Sequence, residues 1–364
     1  GRALRRRAYP GDETPPFQAA ALNAALALGL PPSHDFNDLN AGPAAGLCPV
    51  NKVGDTRWNA AFAFLDPVRE SGCLEILDRA EATDLLLERG RCAGVRVRRP
   101  DGERELTADL VVLAGGAYGS PLLLLRAGIG DPATLEAAGI LPRHALPGVG
   151  RNLQDHPAAA LRFAGSAGLE QAMRDFAQRA VPYEEGVIVK ARSSRAETAV
   201  DLHLVPCGGE LAEGGWYWEI LAALVAARSR GWIEPLPDGG CAIRHRHLTD
   251  AAGHDLAVLE EGVALARRMA ASLPGLGAEL QPGPGADLPG WLHREHRHYW
   301  HPAGSCAMGR DPAAGAVTDG HGRVHGLAGL MVADASIMPT VVAANTNLAT
   351  VMLGYRLARW VASR

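Results

Sequence analysis

Asp109-Leu110-Val111-Val112-Leu113-Ala114-Gly115-Gly116-Ala117-Tyr118-Gly119-Ser120-Pro121-Leu122-Leu123-Leu124-Leu125 is the stretch on which the fold turns. Leu110 to Leu113 is continuously apolar, the pattern of a strand buried on both faces. Glycines follow at once. Ser120 reads as a helix N-cap, Pro121 as the first helical residue and Leu122 to Leu125 as the helix body. A buried strand, a glycine turn and a capped helix make one unit of an α/β nucleotide-binding sheet.

Working upstream, Leu85-Leu86-Leu87 and Val95-Arg96-Val97 flank a turn at Glu88-Arg89-Gly90-Arg91, and a second turn at Pro100-Asp101-Gly102 leads to another strand. This is the pattern of a small antiparallel meander. Leu74 to Leu77 reads as a short strand before it. Pro16 to Leu30 predicts a helix ended by Gly29 and Pro31-Pro32, and Ser33 to Pro49 a polar loop. Downstream, Trp216 to Ala227 and His254 to Leu273 predict helices, the second with Leu256, Leu259, Val263, Ala266 and Met269 at helical spacing. A strand segment, Gly231 to Ile243, lies between them. Gln281 to Pro289 is a Pro/Gly-rich connector. Leu330 to Asp334 predicts a strand ending in an acid, followed by a loop at Asn345-Thr346-Asn347 and a helix from Leu348 to Ala362.

The 364 residues suffice for one large domain or two ordinary ones. Hydrophobic residues at 47% and charged residues at 21% fit a globular protein, and a formal charge of −4 gives no reason to expect a nucleic-acid partner. The basic start, Arg2, Arg5, Arg6 and Arg7, reads as a solvated chain end. No apolar run approaches the roughly 18 residues of a membrane span, and no signal-peptide pattern follows the basic start. The six cysteines, Cys48, Cys73, Cys92, Cys207, Cys241 and Cys306, include no C-x-x-C pair. They read as free thiols in a reducing, cytoplasmic compartment.

Several motifs now stand in one order. Gly116 to Gly130 is the first of them. Gly148-Val149-Gly150-Arg151-Asn152-Leu153-Gln154-Asp155-His156 is the second, and His301-Pro302-Ala303-Gly304-Ser305-Cys306-Ala307-Met308-Gly309 the third. Val332-Ala333-Asp334-Ala335-Ser336-Ile337-Met338-Pro339 and Asn345-Thr346-Asn347 complete the series. Together they resemble the glucose–methanol–choline (GMC) oxidoreductases, with Ala127 and Ser305 as departures from the family's serine and threonine. The resemblance covers what reads as the family's C-terminal two-thirds. The N-terminal G-x-G-x-x-G segment that holds the flavin pyrophosphate does not appear, so a chain supplying it is an expected partner.

The resemblance implies an α/β fold (α+β overall): an incomplete FAD-binding Rossmann-like domain with a sheet-plus-helices substrate domain. Residues 1–67 would link to the substrate domain, 68–155 form part of the FAD domain, 156–300 the substrate domain, and 301–364 the rest of the FAD domain. It implies oxidation of a small-molecule alcohol to an aldehyde or ketone, with hydride transfer to flavin N5. His301 falls on the family's catalytic histidine and would serve as base, histidine's ordinary pKa being near 6.5. Asn345 would hydrogen-bond the substrate oxygen, since an amide is no base at neutral pH. FAD would lie against Ala82, Ala114, Gly115, Trp300, Asp334, Ala335, Thr346 and Asn347. Asp334 taken alone is an ordinary helix N-cap, and Cys306 a packed thiol without an activating charge.

Two other classes stand beside this one. A truncated GMC-like fragment or subunit that holds no flavin alone would keep the same motifs. A metal-dependent hydrolase would use His293, His296, His298 and His301, but Arg294 and Arg297 interleave and no H-E-x-x-H is present, so no metal site is assigned. His245 and His247 alternate on an expected strand and read as surface or substrate-side residues.

Overall fold

The computed structural model describes the backbone of residues 6–7 and, in full, residues 13–38, 41–54 and 56–363. Arg2 and Arg5 of the basic start lie outside the described residues; the Arg6–Arg7 backbone pairs antiparallel with Val50 and Asn51. The chain divides into two compact units. One comprises Gly1–Leu74, His156–Ala227 and Ala251–Tyr299; the other comprises Glu75–Asp155, Arg228–Asp250 and Trp300–Arg364. The expected 156–300 segment therefore differs at Arg228–Asp250. The reason is local: the hairpin of Trp232–Pro235 and Cys241–Arg244 packs on the Gly116–Arg126 helix through Ile233, Ala117 and Leu153.

The first unit is an antiparallel sheet. Its order is Leu276–Gln281, Pro157–Gly165, Trp216–Leu224, Leu202–Glu210, Val187–Ala191 and Ala44–Leu47, with Arg297–His298 also pairing to the second of these. Two expectations fail here. Trp216–Leu224 is a strand, not a helix: it pairs on both sides, Trp218 with Phe163 and Gly208, Leu224 with Leu202. An unbroken apolar run fits a buried helix and a buried central strand equally, and only the neighbouring strands decide. Ala44–Leu47, inside the expected polar loop, closes the sheet's edge on Val187–Lys190. The Pro16–Ala27 and His254–Ala271 helices form as expected and pack on the sheet. On the second, Leu259, Val263, Ala266 and Met269 are buried, while Val258 rather than Leu256 completes the face. Gly262 lets that helix close on the sheet, since a Cβ there would meet Leu202 Cδ2 at 2.9 Å.

The second unit carries the meander, Glu81–Glu88, Arg91–Arg99 and Gly102–Thr107, joined first by a two-residue turn in which Arg89 and Gly90 both have positive φ. Leu74 to Leu77 forms no strand, and Ile76 is exposed. Val111–Leu113 pairs in parallel with Leu330–Val332 in a two-stranded sheet. It is not buried on both faces, for Val112 is 46% exposed while Leu113 joins the core of Leu124, Leu125, Ile129, Val332 and Ile337.

The following helix also begins earlier than expected, spanning Gly116–Arg126 with Gly115 as N-cap and Pro121 inside it. Gly116, at φ 73°, makes the sharp entry possible. Ser120 is not the cap; its hydroxyl reaches back to Asp334 and accepts from the Gly115 N–H. Among the described residues no helix is long and apolar enough to cross a membrane.

Candidate active site

The third motif is held in place by the second. The backbones of Gln154 and Ala303 exchange both hydrogen bonds at 2.9 Å. Asn152 Nδ2 donates to the carbonyls of Gly304 and Pro339, each at 3.2 Å. Gln154 Nε2 donates to the same Pro339 carbonyl, and its Oε1 accepts from the Val341 N–H. Asp155 Oδ1 accepts the His301 N–H at 2.9 Å. Each polar side chain of Asn152-Leu153-Gln154-Asp155 is thus a pin on backbone groups of the third motif and of the segment from Pro339 to Val341. Three polar residues within four positions, around a fully buried Leu153, are the sequence signal that marks this anchor.

Proline chemistry fixes the next pin. Pro121 has no N–H, so the Ala117 carbonyl four residues earlier lacks its helical donor. Ser305, fully buried, donates its hydroxyl to that carbonyl at 2.5 Å. Asp334 ties a third point: Oδ2 accepts from the Gly116 N–H at 2.9 Å and from Ser120 Oγ, and Oδ1 from the Ser336 N–H at 2.8 Å. It is an N-cap, as the residue alone suggests, and also a clamp on the glycine turn.

These pins place His301 and Asn345 together, with Asn345 Nδ2 3.4 Å from His301 Nε2. The His301 side chain is buried, and burial pulls its pKa from 6.5 down to about 4. The imidazole is therefore neutral at pH 7. Trp300 next to it has φ 63° and an indole that is 80% exposed. Cys306 is fully buried and its thiol is pushed up by desolvation, in keeping with a packed residue.

All eight residues assigned to FAD fall in the second unit. Ala114 and Gly115 are exposed at the carboxyl end of Val111–Leu113, and Asp334 and Ala335 follow the end of its parallel partner. Nucleotides bind at the carboxyl ends of parallel strands. Thr346 and Asn347 open the Thr346–Ala362 helix directly after Asn345. Ala82 sits apart on the meander, opposite Val97. Small residues at both strand ends, exposed backbone at Ala114 and Gly115, and an exposed indole beside His301 fit the cofactor. The Gly116 N–H is already taken by Asp334, so a phosphate there would have to meet other amides. Of the histidines weighed for metal, His293 and His296 lie on and just after the Leu288–Glu295 helix of the first unit, whereas His301 belongs to the second. His247 is buried, not a surface residue, and His245 is half-buried; both follow the Cys241–Arg244 strand rather than lie on it.

Comparison with known proteins gives the class: N- and C-terminal family models of the GMC oxidoreductases match residues 8–158 and 227–354, and the chain belongs to that family. GMC oxidoreductases use FAD to oxidise alcohols. Choline oxidase of Arthrobacter globiformis is 29% identical over 373 residues, covering 96% of this chain and 67% of that protein. The oxygen-dependent choline dehydrogenase of Ectopseudomonas mendocina is 28% identical over 387 residues, with 96% and 67% covered. Among solved structures, pyridoxine 4-oxidase from Mesorbium loti matches with a TM-score of 0.84 at 26% identity, over 98% of this chain and 72% of that one. A formate oxidase of Aspergillus oryzae shares the fold with a TM-score of 0.85 at 19% identity, over 98% and 71%.

Proposed function

We propose that this chain oxidises a small-molecule alcohol to an aldehyde or ketone, with His301 as the base. The observation that carries this reading is the buried, neutral His301 with Asn345 Nδ2 3.4 Å from its Nε2. When bound, FAD supplies the acceptor for the hydride that leaves the alcohol carbon. The chain's own residues manage the oxygen and its proton. His301 Nε2 takes the hydroxyl proton, and Asn345 donates its amide N–H to the oxygen as charge builds there. The Asp155 hydrogen bond to the His301 N–H and the Ser305 pin keep the imidazole from swinging away. Ala82, Ala114, Gly115, Asp334, Ala335, Thr346 and Asn347 would hold the cofactor, with Trp300 beside its ring.

The test is an absorbance spectrum of the purified chain before and after incubation with FAD and desalting, then anaerobic addition of candidate alcohols. Choline and pyridoxine are the first probes, because relatives are named for them. Retained flavin bands that bleach with an alcohol, and fail to bleach in His301→Gln, are the expected result. Retained bands that bleach equally in the variant would remove His301 as base. No retained flavin would favour the non-catalytic reading of the chain on its own.

A further inference from the structure

A second cluster of side chains lies in the same unit, sharing only Asp155 with the His301 anchor. Asp155, His245 and His247 bring a carboxylate oxygen and two ring nitrogens within 4.8 Å of one another. Asp155 and His247 are buried, and His245 is half-buried. The two imidazoles lie 5.1 Å apart, centroid to centroid, at 53°. Arg246 between them has φ 54°, and its guanidinium lies over the Trp232 ring at 5.2 Å, so its charge is engaged elsewhere.

His245 Nδ1 and Asp155 Oδ2 are 3.9 Å apart. That is too long for a hydrogen bond. It is close to the separation of two ligands on one ion, since Zn–N and Zn–O bonds of about 2.0–2.2 Å put tetrahedral neighbours roughly 3.4 Å apart. On the far side of the same ring, Tyr118 Oη lies 3.0 Å from Nε2. With Tyr118 Oη accepting from Nε2–H, the Nδ1 lone pair would face Asp155, the arrangement that outer partners give metal-bound histidines. Two imidazoles and one carboxylate suit zinc-like transition ions and not calcium or magnesium, which favour all-oxygen sets.

We propose that Asp155, His245 and His247 form a site for one divalent transition-metal ion of the zinc type, with Tyr118 orienting His245. The ion would share Asp155 with the His301 backbone, so that filling the site stiffens the loop carrying the candidate base. The proposal does not rest on the oxidoreductase reading.

The test uses the full chain, stripped with EDTA, dialysed against Zn²⁺ and assayed for bound metal. Co²⁺ titration follows, read by visible absorption and competed with Zn²⁺. The expected result is one equivalent bound, a Co²⁺ band of low-coordinate type, and a rise in Tm on loading. Tyr118→Phe, which leaves every ligand in place, should weaken binding about 10–100-fold. His247→Ala should abolish the Co²⁺ band, circular dichroism confirming that the variant folds. Absence of stoichiometric metal overturns the proposal. So does binding unchanged in both variants, which would mark an adventitious ion on other histidines.

Discussion

Ser305→Ala, made alone and in a Pro121→Ala background, tests how the active-site strand is anchored. Ser305 donates to the one helical carbonyl, that of Ala117, which Pro121 cannot serve. Both ends are buried, Ser305 at 0% exposure and Ala117 at 5%. Removing the hydroxyl leaves a buried acceptor unpaired, which costs about 1–3 kcal/mol. In Pro121→Ala the new N–H reaches the Ala117 carbonyl, so the same Ser305→Ala change should then cost less than about 1 kcal/mol. The two substitutions therefore couple by about 1 kcal/mol or more, above the roughly 0.3–0.5 kcal/mol within which independent sites add. Pro121→Ala alone should change stability little, the restored helical bond offsetting the roughly 0.4–1 kcal/mol of unfolded-state entropy that proline removes. Urea unfolding of all four proteins, followed by far-ultraviolet circular dichroism, reads the midpoints, and an unchanged m-value keeps the comparison valid. If Ser305→Ala costs the same in both backgrounds, the anchoring argument is wrong.

Three further outcomes are expected. His301→Gln should lower kcat/KM for the reactive alcohol by about 10²–10⁴-fold while leaving the Tm near that of the parent, and a drop of only a few-fold would deny it the role of base. Because burial holds the His301 pKa at about 4, the base is already neutral at pH 6; kcat/KM should stay flat from pH 7 down to about 5 and fall only as pH drops toward 4. A fall centred near pH 6.5 would mean that the imidazole is not desolvated. With a thiol-reactive chromophore, Cys73 should react quickly in the native protein, whereas Cys92, Cys207 and Cys306, all buried with raised thiol pKa, should react only on unfolding.

Local pattern determined much of this protein. The meander and its Arg89-Gly90 turn, the Pro16–Ala27 and His254–Ala271 helices, the strand character of the segment after Gly231 and the Leu330–Val332 strand follow from short-range periodicity and turn residues, which act within a few residues of chain. The family was legible because its motifs are backbone-shaping sequences, and those carry the same constraint wherever they fold. Tertiary structure decided the rest. Trp216–Leu224 became a central strand because Phe163 and Gly208 flank Trp218, and Ala44–Leu47 became an edge strand because Val187–Lys190 offered partners. No local signal carries that information. The same holds for the site: His301 could be named from its motif, but the lowered pKa comes from burial, and the work of Asn152, Gln154, Asp155, Ser305 and Asp334 lies in hydrogen bonds to backbone far away in sequence. A carboxylate or amide in a sequence shows what it can bond; only the folded chain brings the buried N–H or carbonyl that it must satisfy.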